Sequence, residues 1–154
     1  MLYVAGWGSG EEELREYVKS ARLDERVRIL GMVEHQKLPL YYSASDLVFI
    51  PVRWENLHEG SATAEAFACR RPVVAFRRHE TDQTEQAGGF LIEDEPGRGA
   101  VTLIDRLRND QYLEDKGREG AVLSKQFTMD HAAERLEEIY DHALNGGKRR
   151  KSGS

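Results

Sequence analysis

The stretch from Pro51 to Cys69 holds the residues best suited to chemistry. Pro51-Val52-Arg53-Trp54-Glu55-Asn56-Leu57-His58-Glu59-Gly60 reads as a polar loop with two acids, and it opens into the small-residue run Ser61-Ala62-Thr63-Ala64-Glu65-Ala66-Phe67-Ala68-Cys69. A helix starting at Ser61 would present free amides that an anionic ligand could approach with little obstruction. Glu65 falls about one turn inside it, where a carboxylate can accept hydrogen bonds from a sugar's hydroxyls; the plainer alternative is a solvated surface Glu. A second candidate is Gly6-Trp7-Gly8-Ser9-Gly10, whose glycines permit a tight turn and whose following amides could meet a phosphate. Its plainer alternative is an ordinary strand-to-helix turn. A dinucleotide fingerprint requires a third glycine at position 11 and an acid closing the next strand; the chain has Glu11 and Leu30-Gly31 there, which weakens an oxidoreductase reading.

Other chemistries find less support. His35, His58, His79, His131 and His142 include no close pair spaced for one helix face, so no metal is expected. Cys69 reads as a packing residue, and Glu93-Asp94-Glu95 as a solvated loop. A single cysteine makes no internal disulfide, and Met1 leads directly into Leu2-Tyr3-Val4-Ala5 without a charged leader, so a reducing, cytoplasmic setting is expected. Of the 22 basic residues, four form the tail Lys148-Arg149-Arg150-Lys151; the other 18 face 27 acids, a net charge of −9, which argues against a nucleic-acid groove. The tail offers at most a weak contact with an anionic membrane surface, and a solvated end is the plainer reading. No apolar run approaches the roughly 20 residues of a membrane span.

These candidate residues need a scaffold, and the pattern is that of a parallel α/β sheet. With 154 residues, 40% of them hydrophobic, the chain suits one folded domain over 1–144, followed by a disordered basic tail over 145–154. Five strands are predicted at Leu2–Ala5, Val27–Leu30, Leu47–Ile50, Val73–Phe76 and Phe90–Ile92. Leu14, Tyr17, Val18 and Ala21 form the stripe of a helix after the first strand, with Ser9 and Glu12 as its capping box. Shorter helices are predicted at Leu38–Ser43 and Ser61–Ala68. Ala100–Leu107, Tyr112–Phe127 and Met129–Leu144 follow as helices without further strands. The last carries Ala132, Leu136, Ile139, Tyr140 and Ala143 on one stripe and is expected to dock on the domain. Ligands of such a sheet bind beyond the strands' carboxyl ends, where both candidate loops fall.

Taken in order, five segments carry a resemblance. Leu-Tyr-Val-Ala-Gly-Trp-Gly, Val-Arg-Ile-Leu-Gly-Met-Val, Leu-Tyr-Tyr-Ser-Ala-Ser-Asp, Glu-Ala-Phe-Ala-Cys-Arg-Arg-Pro-Val-Val-Ala and Gly-Gly-Phe-Leu-Ile are similar to the successive motifs of the nucleotide-binding half of group 1 (family 4-like) retaining glycosyltransferases of GT-B fold. The resemblance spans about residues 2–144. It implies a three-layer Rossmann-like parallel sheet of about five strands, forming the C-terminal, nucleotide-sugar-binding half of the enzyme. An N-terminal acceptor-binding half is then the missing partner, and the chain alone is expected to be inactive.

By position, the resemblance makes Glu65 the partner of the donor ribose hydroxyls and Gly60, Ser61, Ala62 and Thr63 the diphosphate cradle. Gly8 lines the donor site, and the loop ending at Val33 borders the base. The family's sugar-facing Glu corresponds to Leu57, so either Glu55 or Glu59 takes its place, Glu59 being preferred for the Gly after it. The family's basic pair lies upstream of Met1, and the usual Gly after the Cys is Arg70, which puts that turn in question. Arg53, Arg77 and Arg78 are alternative sources of positive charge. The competing class is a non-catalytic α/β module binding a nucleotide or a protein.

Overall fold

The computed structural model describes residues 1–51, 61–76, 88–93 and 96–146. Two compact units divide the chain, Met1–Tyr41 and Tyr42–Ser154.

In the first unit, β1 (Leu2–Ala5) pairs in parallel with β2 (Val27–Gly31), and α1 (Glu11–Ser20) connects them. Of the α1 stripe only Val18 is fully buried; Tyr17 is exposed, and Ala21 lies beyond the helix as its C-cap. The expected capping box does not form. The N-cap is Gly10, without a side-chain cap bond, because the turn closes one residue later than Ser9 through the Glu11 amide bonding the Gly8 carbonyl at 3.2 Å. A 3-10 turn, His35–Lys37, leads into α2 (Leu38–Ala44), whose residues from Tyr42 onward belong to the second unit.

The second unit contains β3 (Val48–Ile50), α3 (Ser61–Ala68), β4 (Val73–Phe76), β5 (Gly89–Ile92), α4 (Pro96–Leu107), α5 (Asp110–Leu123), a 3-10 turn at Ser124–Phe127 and α6 (Met129–Gly146). Its strands pair in parallel in the order β3-β4-β5. All five predicted strands therefore exist, but as a two-stranded and a three-stranded sheet rather than one sheet of five. Hydrogen bonding within each unit sets those sizes.

Strand alternation gives the second sheet two covered faces. On one, Val73 joins Ala66 and Phe67 of α3, with Val48 and Ile50 alongside. On the other, Val74, Phe90 and Ile92 meet Leu113 of α5, with Leu103 of α4 and Phe76 packed against them. The β-branched residues that mark β3 and β4 as strands thus fill both interfaces.

Close backbone approaches hold α5 against the end of α3. A Cβ at Gly117 would strike the Arg70 carbonyl, and one at Gly120 would strike the ring of fully buried Phe67. The chain around α3 is fixed by packing that only glycine permits.

Helix α6 departs from expectation. Ala132, Leu136, Ile139, Tyr140 and Ala143 are all exposed, Ile139 at 59%, so the stripe does not dock on the described part of the domain. The helical period is present, yet no described element offers these side chains a covering surface. Among the described residues no helix is long and apolar enough to cross a membrane.

Candidate functional site

Two helix N-termini were candidates for an anion, and their electrostatics differ. The first turn of α1 holds Glu11, Glu12 and Glu13, whereas the first turn of α3 holds no acid. Three carboxylates complement the partial positive charge of α1 themselves and repel a further anion; no carboxylate in the first turn of α3 does the same there. Glu11 is further held by Arg15, whose Nη2 lies 2.6 Å from its Oε1.

Within the first unit, Gly6 and Gly31 lie side by side at the strands' carboxyl ends, the Gly6 amide donating to the Gly31 carbonyl at 2.9 Å. Both take positive φ, 137° and 65°, values that side chains rarely adopt. Gly8 is exposed in the turn that follows β1, and Val33 is half-buried after β2.

Within the second unit, Ser61 is exposed, Ala62 half-buried and Thr63 buried at 6% exposure on the first turn of α3. Glu65 follows on the same helix and is half-buried. Tyr42 of α2 donates its hydroxyl to Glu65 Oε2 at 3.0 Å. Burial first, then the hydrogen bond and negative charge of Glu65, push the Tyr42 hydroxyl up to about 12. The phenol therefore stays protonated and donating well above neutral pH. Arg71, just after α3, donates from Nη2 to the Ser43 carbonyl at 2.6 Å, giving α2 a second link to this region.

Sequence reasoning did not single out Tyr42. Its bond spans 23 positions, and the only local signal was its place in Leu-Tyr-Tyr-Ser-Ala-Ser-Asp. Glu55, Glu59, Gly60, Arg53, Arg77, Arg78 and the 147–154 part of the basic tail lie outside the described residues. Among the described residues no three His, Cys, Asp or Glu side chains converge as a metal site would require.

The turn questioned at Arg70 keeps its shape. The Arg70 amide bonds the Phe67 carbonyl and the Arg71 amide the Ala66 carbonyl, both at 2.9 Å, which is the paired closure of a Schellman motif. Arg70 adopts the left-handed φ of 57° that the motif normally reserves for glycine.

Comparison with known proteins shows which family the chain resembles. A model of "Glycosyl transferases group 1" matches residues 1–110. Lipopolysaccharide core biosynthesis mannosyltransferase LpsB of Rhizobium meliloti is 30% identical, covering 92% of this chain and 42% of that protein. Alpha-D-kanosaminyltransferase of Streptomyces kanamyceticus is 28% identical, covering 89% and 36% respectively. The chain thus spans about two fifths of the length of these relatives.

Among solved structures, sucrose-phosphate synthase of Thermosynechococcus elongatus superposes with a TM-score of 0.75 at 20% identity, over 94% of this chain and 39% of that one. S. aureus TarM, solved with UDP, gives 0.72 at 19% identity, over 90% and 28%. The likeness is one of fold, that of part of a GT-B glycosyltransferase. With the family model covering most of its length, the chain belongs to the group 1 glycosyl transferases.

Proposed function

We propose that the chain is the donor-binding half of a retaining glycosyltransferase that moves a sugar from a nucleotide sugar to an acceptor hydroxyl. The observation that carries this reading is the pairing, on α3, of an acid-free first turn with a half-buried carboxylate one turn further on. An anion and a diol bound by one helix match the two ends of a ribose diphosphate. TarM and the pneumococcal O-GlcNAc transferase GtfA, both solved with UDP, share the fold and support it.

In this reading the α3 amides stabilise charge on the departing diphosphate, so the domain contributes leaving-group stabilisation rather than nucleophilic attack by a side chain. Glu59 or Glu55 touches the donor sugar. The length that the relatives have beyond this chain supplies the acceptor site, and catalysis requires both halves.

The test is a titration of isotope-labelled protein with nucleoside diphosphates, their sugar conjugates and nicotinamide dinucleotides, followed by backbone amide shifts. Shifts over residues 60–65 with a nucleoside diphosphate or its sugar conjugate are expected. Silence there at millimolar ligand, or a response confined to the Gly6–Gly10 loop, removes the reading's main support.

A further inference from the structure

A carboxylate that reads a vicinal diol must present its oxygens in a fixed direction, because two hydrogen bonds to adjacent hydroxyls tolerate little rotation. A glutamate has three rotatable side-chain bonds and does not supply that direction by itself. In this protein the direction comes from α2. Tyr42 donates to Glu65 Oε2 at 3.0 Å, and no hydrogen bond to Oε1 exists among the described residues. An ionised carboxylate has about four acceptor positions, of which the tyrosine occupies one.

The tyrosine is itself held. Its ring packs against the buried cluster of Ala66, Phe67 and Val73. Its carbonyl accepts from the Ser45 hydroxyl at 2.8 Å and the Ser45 amide at 3.1 Å, and Arg71 bonds the adjoining Ser43 carbonyl at 2.6 Å. A bond anchored on so many sides orients its acceptor rather than following it.

We infer that Tyr42 is a positioning residue for donor recognition, its hydroxyl fixing one oxygen of Glu65 so that the carboxylate is preset for the two ribose hydroxyls of a nucleoside diphosphate. The inference rests on the donor-binding reading of Glu65 and adds the device that gives it selectivity for a ribose diol.

The test compares affinities for UDP, GDP and ADP with those for their 2′,3′-dideoxy analogues by calorimetry, in the wild-type chain, Tyr42→Phe, Glu65→Ala and the double variant. Tyr42→Phe keeps the ring and its packing. For whichever nucleotide binds tightest, the wild-type chain is expected to favour the ribose form by about tenfold or more, the scale of hydrogen bonds to a charged group. Tyr42→Phe should cut that preference at least about threefold and leave dideoxy affinity unchanged; Glu65→Ala should abolish it, and adding Tyr42→Phe should then change nothing.

A wild-type preference that persists in Tyr42→Phe overturns the inference while leaving the Glu65 reading intact. An equal loss for both nucleotide forms shows a merely structural tyrosine and overturns it as well. No nucleotide binding, no ribose preference in the wild-type chain, or an undiminished one in Glu65→Ala removes the underlying reading and the inference with it.

Discussion

At the scale of single residues, Tyr42 and Glu65 make separable predictions. Glu65→Ala removes a ligand acceptor that carries a half-buried hydrogen bond, so nucleotide affinity should drop by about tenfold or more. Folding should survive, with a loss of about 1–3 kcal/mol, the scale of breaking a hydrogen bond to a charged group and leaving its part-buried donor unpaired. Calorimetry and chemical denaturation on one preparation separate the two effects, and unchanged affinity would refute the ribose role. Tyr42 predicts a pH signature. Its hydroxyl is raised to about 12 in the folded state, so folding favours the protonated phenol. Stability from this group is whole below the ordinary value of about 10 and is lost as pH climbs from there through the folded value. Between about pH 9 and about pH 11 the urea midpoint of the wild-type chain should therefore fall more than that of Tyr42→Phe; parallel curves would show that the phenol is not favoured by folding. The position of Glu65 one turn inside α3 was legible from the small-residue run. Its partner was not, because a contact across 23 positions depends on how α2 and α3 pack.

At the scale of elements, the two helices that carry candidate loops end in the same way. After α1, Arg22 takes φ 56°, with its amide on the Lys19 carbonyl and the Leu23 amide on that of Val18; after α3, Arg70 takes φ 57° with the equivalent bonds. Each arginine sits where glycine is preferred, at a steric cost of about 1–2 kcal/mol for the left-handed conformation. A glycine there would relieve that strain but would loosen the unfolded chain by about 0.4–1 kcal/mol. The difference favours glycine, so Arg70→Gly should raise stability by about 0.5–1 kcal/mol in urea denaturation, with the fold unchanged. A destabilised variant would mean that the arginine side chain contributes more than its backbone costs. Most elements were legible for local reasons. The strands declared themselves through short apolar runs, and α3 covers the predicted Ser61–Ala68. The start of α4 was missed by four residues, since Pro96-Gly97-Arg98-Gly99 lacks helical propensity although proline suits a first helical position. The exposed stripe of α6 was misjudged because periodicity reveals an apolar face and not what covers it.

At the scale of the molecule, charge shapes how a phosphorylated ligand is met. The chain carries a net charge of −5, and −9 without its four-residue basic run, so its long-range field opposes the approach of a diphosphate. What attracts the ligand on this reading is short-ranged, the amide dipoles at the start of α3 and the hydroxyls' bonds to Glu65. The two contributions respond differently to salt. Screening weakens the field over about 10 Å at 0.1 M ionic strength and leaves contact hydrogen bonds nearly untouched. Nucleotide affinity should therefore rise, by about two- to threefold, as ionic strength goes from about 0.01 M to about 0.15 M. A site built on a cluster of arginines would show the reverse, affinity falling with salt as screening weakens the attraction between ligand and protein. Measuring UDP or GDP binding across that range decides which holds: a decline would place Arg53, Arg77 or Arg78 in the phosphate cradle and demote the amides of α3.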